Sequence, residues 1–228
     1  WADTFSNHFN PTVAIAAVEV LEAAGCTVVI PQRGLCCGRP LYDFGLLDRA
    51  RQQLADILAA LRTEIAAGTP VIGLEPACLG TFKDELLNFF PDDADAAKLS
   101  KQAVLFSDFL LKRAQFQPRA LKARAIVHGH CHQKSLLGMT GETRLLKKLG
   151  VEFKLLDSGC CGMAGSFGYD AETIDVSLAM GELSLLPAVR KADANTIVVA
   201  DGTSCRHQIK DGAGREAIHV ARVLARAL

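Results

Sequence analysis

A doubled cysteine followed by glycine occurs twice, as Cys36-Cys37-Gly38 and Cys160-Cys161-Gly162, 124 positions apart. At that offset His8 falls on His132 and Asn7 on Cys131. One residue more brings Gly25 onto Gly150, and three more bring Cys78 onto Cys205, each cysteine behind an apolar run. Registers this consistent mean a duplicated unit joined near residue 120, a first repeat over 1–120 and a second over 121–228. Whatever fold the chain adopts must therefore be built twice from about half its length.

Within each repeat, helix-like and strand-like patterns alternate. In the first, 12–24 reads as a helix closed by Gly25, with a strand at 27–30. Leu47, Leu54, Leu58, Leu61 and Ile65 recur at helical spacing, so 46–67 reads as an amphipathic helix ended by Gly68. A strand at 71–74, a helix after Cys78 and an amphipathic stretch at 103–114 complete it. The second repeat gives strands at 125–127, 152–156 and 196–199. Its helices fall at 141–149, at 170–186 (stopped by Pro187), after Cys205, and at 216–228. Strands separated by helices call for parallel sheets with right-handed crossovers. The expected fold class is α/β, two pseudo-symmetric Rossmann-like halves, each a small parallel sheet flanked by helices.

Composition removes several functions. The 25 Lys and Arg balance the 25 Asp and Glu, so no electrostatic drive toward nucleic acid exists. No apolar run approaches the ~20 residues of a spanning helix, and no secretory signal opens the chain. The expected location is the cytoplasm, or the periphery of the inner membrane face. The chain opens on Trp1-Ala2-Asp3-Thr4-Phe5, with no strand or cap ahead, and reads as a piece of a longer polypeptide.

The eight cysteines carry the chemistry. Cys26 stands outside the repeat and is expected to be a small buried hydrophobe. The other seven follow strands, in the loops where open α/β sheets bind ligands and helix N-termini favour thiolates. In the second repeat Cys131, Cys160, Cys161 and Cys205 offer four sulfur ligands, suited to tetrahedral zinc or to an iron–sulfur cluster. The first repeat offers Cys36, Cys37 and Cys78, with Asn7 beside His8 in the fourth place. That site is incomplete, completed by His8, or without metal. His128, His130 and His132 alternate around Cys131, and His130 and His132 are candidates for ligation or for hydrogen bonds to sulfur. Arg206 and His207 could donate to Cys205 in the same way. Gly165–Gly168 lacks the spacing of a dinucleotide fingerprint, no P-loop follows, and no nucleophile elbow is present.

Three stretches carry a family resemblance: Gly129-His130-Cys131-His132-Gln133-Lys134-Ser135, the run from Ser158 to Tyr169, and Asp201-Gly202-Thr203-Ser204-Cys205-Arg206-His207-Gln208. With Asp3-Thr4-Phe5, they make the chain resemble the twin cysteine-rich "CCG" domains of iron–sulfur oxidoreductases. Those include the cysteine-rich component of heterodisulfide reductase, the iron–sulfur components of glycolate oxidase and anaerobic glycerol-3-phosphate dehydrogenase, and lactate-utilisation proteins. Fused proteins with a FAD-linked oxidase domain and a ferredoxin-like module look most similar. The resemblance implies an electron-transfer module of a flavin-dependent dehydrogenase of 2-hydroxy acids such as D-lactate or D-2-hydroxyglutarate. Electrons would pass from FAD, held elsewhere in the parent, toward a quinone or carrier protein, with no turnover by this chain alone. It also implies metal ligation, of the 4Fe-4S type, by Cys131, Cys160, Cys161 and Cys205, and by Cys36, Cys37 and Cys78. A structural zinc domain docking the flavin domain or a partner protein is the alternative. The sequence departs from heterodisulfide reductase where Cys-x-x-Cys would end each motif: Thr81 and Gln208 stand there.

Overall fold

In the computed structural model, which describes residues 1–113 and 116–228, the chain divides into two units, Trp1–Gln115 and Phe116–Leu228. Each has a small parallel sheet flanked by helices.

In the first unit, strand β1 (Val71–Gly73) pairs in parallel with β2 (Ala103–Leu105), Val71 opposite Ala103. Helix Pro76–Lys83 follows β1 directly and contains Cys78; Glu75 caps it by accepting from Ala77 N. Phe82, Leu79, Leu86, Leu99 and Phe106 are fully buried around the sheet, each side chain stabilising the fold by about 1.5–3 kcal/mol.

Several sequence expectations need correction here. Residues 27–30 form no strand among the described residues, and Val29 and Ile30 are 70% and 57% exposed. In the second unit the corresponding strand pairs with the strand leading into the Cys131 turn; residues 27–30 have no such partner among the described residues, and without one an apolar run forms no ladder. The helix expected over 46–67 is two, Leu47–Ala60 and Arg62–Ala67, because Leu61 leaves helical geometry at φ −98°, ψ 13°. The stretch 103–114 is β2 followed by helix Phe106–Arg113, since Ala103 and Leu105 are needed in the sheet; its last residue, Ala114, lies outside the described residues. Cys26 is half-exposed, not a core residue.

The second unit's sheet has four parallel strands: β3 (Arg124–His128), β4 (Glu152–Leu155), β5 (Ile197–Ala200) and β6 (Ala217–Ile218), in the order β4-β3-β5-β6. Arg124 stands opposite Glu152, and Ala125 opposite Ile197. The chain runs from β3 to one side and returns to the other, so the order reverses at β3, and the loops after β3, β4 and β5 open onto one edge. Pro187 does not stop a helix. Helices Ile174–Glu182 and Leu185–Lys191 are separate, and Pro187 sits in the first turn of the second, where its missing N–H has no intrahelical partner to lose. The terminal stretch likewise begins with β6, and only Val220–Ala225 is helical, capped by His219 Nδ1 accepting from Ala221 N at 3.0 Å. Among the described residues no helix is long and apolar enough to cross a membrane.

Candidate metal centre

Three loops at the carboxyl edge of the β4-β3-β5 sheet bring the second unit's cysteines together. β3 ends at His128 and delivers Cys131 just beyond Gly129-His130. The loop after β4 carries Cys160 and Cys161. The loop after β5 enters helix Thr203–Ala213, which holds Cys205 in its first turn.

The sulfurs meet in a row. Cys131 contacts Cys160, Cys160 contacts Cys161, and Cys161 contacts Cys205. Cys161 and Cys205 are buried, while Cys131 and Cys160 are half-buried, so the row runs from the core toward the surface. Two glycines make the approach feasible. Gly162 has φ +94°, and a Cβ there would stand 2.1 Å from Ser177 O. At Gly202 a Cβ would lie 2.3 Å from His130 Cδ2 and 3.3 Å from Cys205 Sγ.

Electrostatics alternates along the row. The Cys160 thiol is held far below its ordinary range by its bonds to Cys131 and Cys161, helped by Gly162 N, which donates to its Sγ at 3.4 Å. Cys205 is lowered by its bond to Cys161 against the effect of burial, with His128 adding to the lowering. Cys131 is raised, first by its bond to Cys160 and then by burial. Cys161 is raised by its bonds to Cys160 and Cys205. Sulfurs that hold their protons more tightly and less tightly than usual thus alternate within one cluster of donors. A cation bound there displaces those protons, so the donor set fits a metal centre of sulfur ligands.

Basic and polar side chains hold this edge in place. Lys134 Nζ donates to Ser158 O and, at 3.2 Å, to Gly159 O, tying down the loop ahead of Cys160. His128 Nδ1 lies 2.7 Å from Ser158 Oγ. His130, Cys131 and His132 bring three ligand atoms within 4.8 Å of one another. The His130 and His132 rings stack at 5.3 Å, and His132 N donates to His130 Nδ1 at 3.2 Å.

Two expected helpers point elsewhere. Arg206 is spent on the end of β5, donating to Ala200 O at 3.1 Å, to Asp201 O and to Thr203 Oγ1. His207 Nδ1 is 2.9 Å from the Tyr169 hydroxyl. Helical direction explains both: neighbours of Cys205 on a helix face away from its sulfur. Gln208, at the end of the motif, is buried and donates to Ser177 O at 3.0 Å, a structural tie between helices.

In the first unit, Cys37 and Cys78 sulfurs are 3.1 Å apart, and Cys36 contacts Cys37 and the Thr4 hydroxyl. His8 does not join them: it is exposed, and its Nε2 lies 3.3 Å from Asn7 Nδ2. Sequence reasoning paired Asn7 with Cys131 and so missed Thr4. An offset taken from the doubled cysteines ignores the longer spacing between the opening turn and Cys36 in the first unit.

Comparison with known proteins gives the same picture of two repeats. The model of the CCG cysteine-rich domain matches residues 4–83 and 127–210. A component of the anaerobic glycerol-3-phosphate dehydrogenase of Escherichia coli (strain K12) is 28% identical over 232 residues, covering 98% of this chain and 57% of the relative. The chain thus spans little more than half of that protein. Lactate utilization protein A of Bacillus subtilis (strain 168) is 28% identical over 231 residues, covering 95% of this chain and 93% of the relative. The protein of the same name from Bacillus velezensis has the same identity and coverage. With both repeats matched over most of their length and a cysteine cluster in each, the chain belongs to the CCG cysteine-rich domain family.

Proposed function

We propose that the second unit holds an iron–sulfur centre on Cys131, Cys160, Cys161 and Cys205. On this reading the chain is an electron-transfer module of a flavin-dependent 2-hydroxy acid dehydrogenase. It relays electrons from FAD, bound by another part of the parent protein or complex, toward a quinone or carrier. The observation that carries the reading is the row of four sulfurs in contact at the edge where the strand order reverses.

When bound, such a centre supplies a one-electron couple whose potential follows burial and hydrogen bonding to sulfur. The chain's own residues serve that purpose in distinct ways. Cys161 and Cys205 close the inner side against water, and Cys131 and Cys160 leave the outer side open for exchange with a partner surface. Gly162 N donates to Cys160, and His128 and His130 set favourable fields at Cys205. Cys36, Cys37 and Cys78 form a second metal site in the first unit. The relatives' names, part of a dehydrogenase and a lactate utilization protein, suit a chain that works in company with flavin and ferredoxin-like partners, in the cytoplasm or at the inner membrane face.

A second reading, a structural zinc domain that docks such a partner, is favoured by the three nitrogen and sulfur atoms of His130, Cys131 and His132 within 4.8 Å. Metal analysis of protein prepared without oxygen separates the two. Iron and sulfide with a brown band that bleaches on reduction support the first, and Cys160→Ser should abolish the band. Colourless protein carrying stoichiometric zinc overturns it in favour of the second.

A further inference from the structure

The three thiols of the first unit lack a fourth sulfur, and the backbone shows what stands in its place. The turn that delivers Cys131 is fixed by Lys134 N donating to His130 O at 2.9 Å, and it runs into a five-residue π-turn closed by Gly138 N to Gln133 O at 2.7 Å. The first unit repeats the device, with Asn7 N donating to Asp3 O at 2.9 Å and a π-turn closed by Asn10 N to Phe5 O at 2.7 Å. Matching the opening bonds puts Thr4 at the place of Cys131 and Asp3 at the place of His130. The contacts agree: Thr4 touches Cys36 as Cys131 touches Cys160, and Asp3 lies in the field of Cys78 as His130 lies in that of Cys205.

A threonine hydroxyl is neutral and a poor ligand for a divalent ion, but the carboxylate beside it is not. Asp3 is 1% exposed. Its Oδ1 accepts from Ser6 N at 2.8 Å, while its Oδ2 is shut away from solvent with no hydrogen-bond partner among the described residues. A buried carboxylate oxygen without a partner is costly, and with Cys78 within reach of its charge it is a donor awaiting a cation. We infer that Asp3 is the fourth ligand of the first unit's centre, which binds metal through Cys36, Cys37, Cys78 and the free Asp3 oxygen, three sulfurs and one oxygen. The assignment stands apart from the iron–sulfur reading of the second unit and survives its failure.

The test uses the full chain with Cys131→Ser, Cys160→Ser and Cys205→Ser, which removes a ligand from each donor set of the second unit, and Co²⁺ alone as the probe. The parent of this series should take up a single equivalent of Co²⁺ with sulfur-to-cobalt charge-transfer absorption. Asp3→Cys should raise that absorption per cobalt by about one third, the ratio of four thiolates to three. Asp3→Asn keeps an oxygen for Ser6 N but loses the anionic donor, and should weaken Co²⁺ binding by at least about tenfold while melting like the parent without metal. Failure of the parent to bind Co²⁺, or parent-like affinity and absorption in Asp3→Asn, overturns the assignment. Should Asp3→Asn fold poorly, Asp3→Cys decides: unchanged absorption per cobalt overturns it as well.

Discussion

Gly202 sits against the His130 ring so closely that a Cβ would stand 2.3 Å from Cδ2, with Cys205 Sγ 3.3 Å away on the same side. The loop after β5 and the turn after β3 are therefore in contact at the place where two sulfur-bearing segments must meet. Gly202→Ala forces His130 or the loop backbone outward. Overpacking of this kind costs about 1–3 kcal/mol. The expected outcome is a lower melting temperature together with weaker metal retention, read by thermal denaturation and by metal stoichiometry after chelator challenge. A variant that melts lower yet keeps all its metal would show that the contact serves packing alone.

Lys134 supplies a second lever, distant in sequence from the doubled cysteine whose loop it holds. Its ammonium donates to Ser158 O and Gly159 O, so the carbonyls just ahead of Cys160 point at a fixed cation. Lys134→Met keeps much of the apolar stem but frees the loop. Residues that orient ligands without touching metal typically contribute about 10–100-fold in affinity. A loss of that size is expected in competition against a chelator, with little change in far-ultraviolet circular dichroism.

The second unit was the more legible of the two from sequence, for a physical reason. Ala125, Ile126 and Val127 and their partners Val198 and Val199 form a central parallel pair, covered on both faces, so apolar runs alone reveal them. Residues 27–30 are apolar in the same way but pair with no strand among the described residues, and a strand is a property of two segments. Proline misled at Pro187 because its effect depends on its place in a helix, which periodicity does not give to within a residue. At the sites, the doubled cysteines were visible as motifs. Thr4 and Asp3 were not, since a buried carboxylate looks like any acidic residue until its surroundings are known.

His207 offers a control. Its ring is turned to the Tyr169 hydroxyl at 2.9 Å, although it lies close to Cys205 in sequence. His207→Phe should leave metal content and the visible spectrum as in the parent. Cys205→Ser, at a residue only 1% exposed, should lose the metal. Parallel metal analysis of the two variants checks the claim, and depletion in His207→Phe would mean the imidazole reaches the centre after all.

The last prediction concerns pH. Glu142 is buried on helix Thr140–Lys148, and its Oε2 accepts from Gln133 Nε2 at 3.0 Å. Burial, and next the charge of Asp201, raise its carboxyl well above the ordinary glutamate value, opposed by Gln133. A folded-state pKa above the unfolded one means the native protein holds a proton that the unfolded chain has released. Stability from this group is thus fully present below about pH 4.3, the unfolded value, and declines as pH rises from there toward the folded pKa. Glu142→Gln keeps an acceptor for Gln133 and a donor for Asp201 and cannot ionise. Denaturant midpoints measured from pH 5 to 8 should fall less steeply with pH in Glu142→Gln than in the parent, with the variant gaining relative stability at the alkaline end. Parallel slopes in the two proteins would show that Glu142 is ionised throughout, its charge met by the surrounding dipoles.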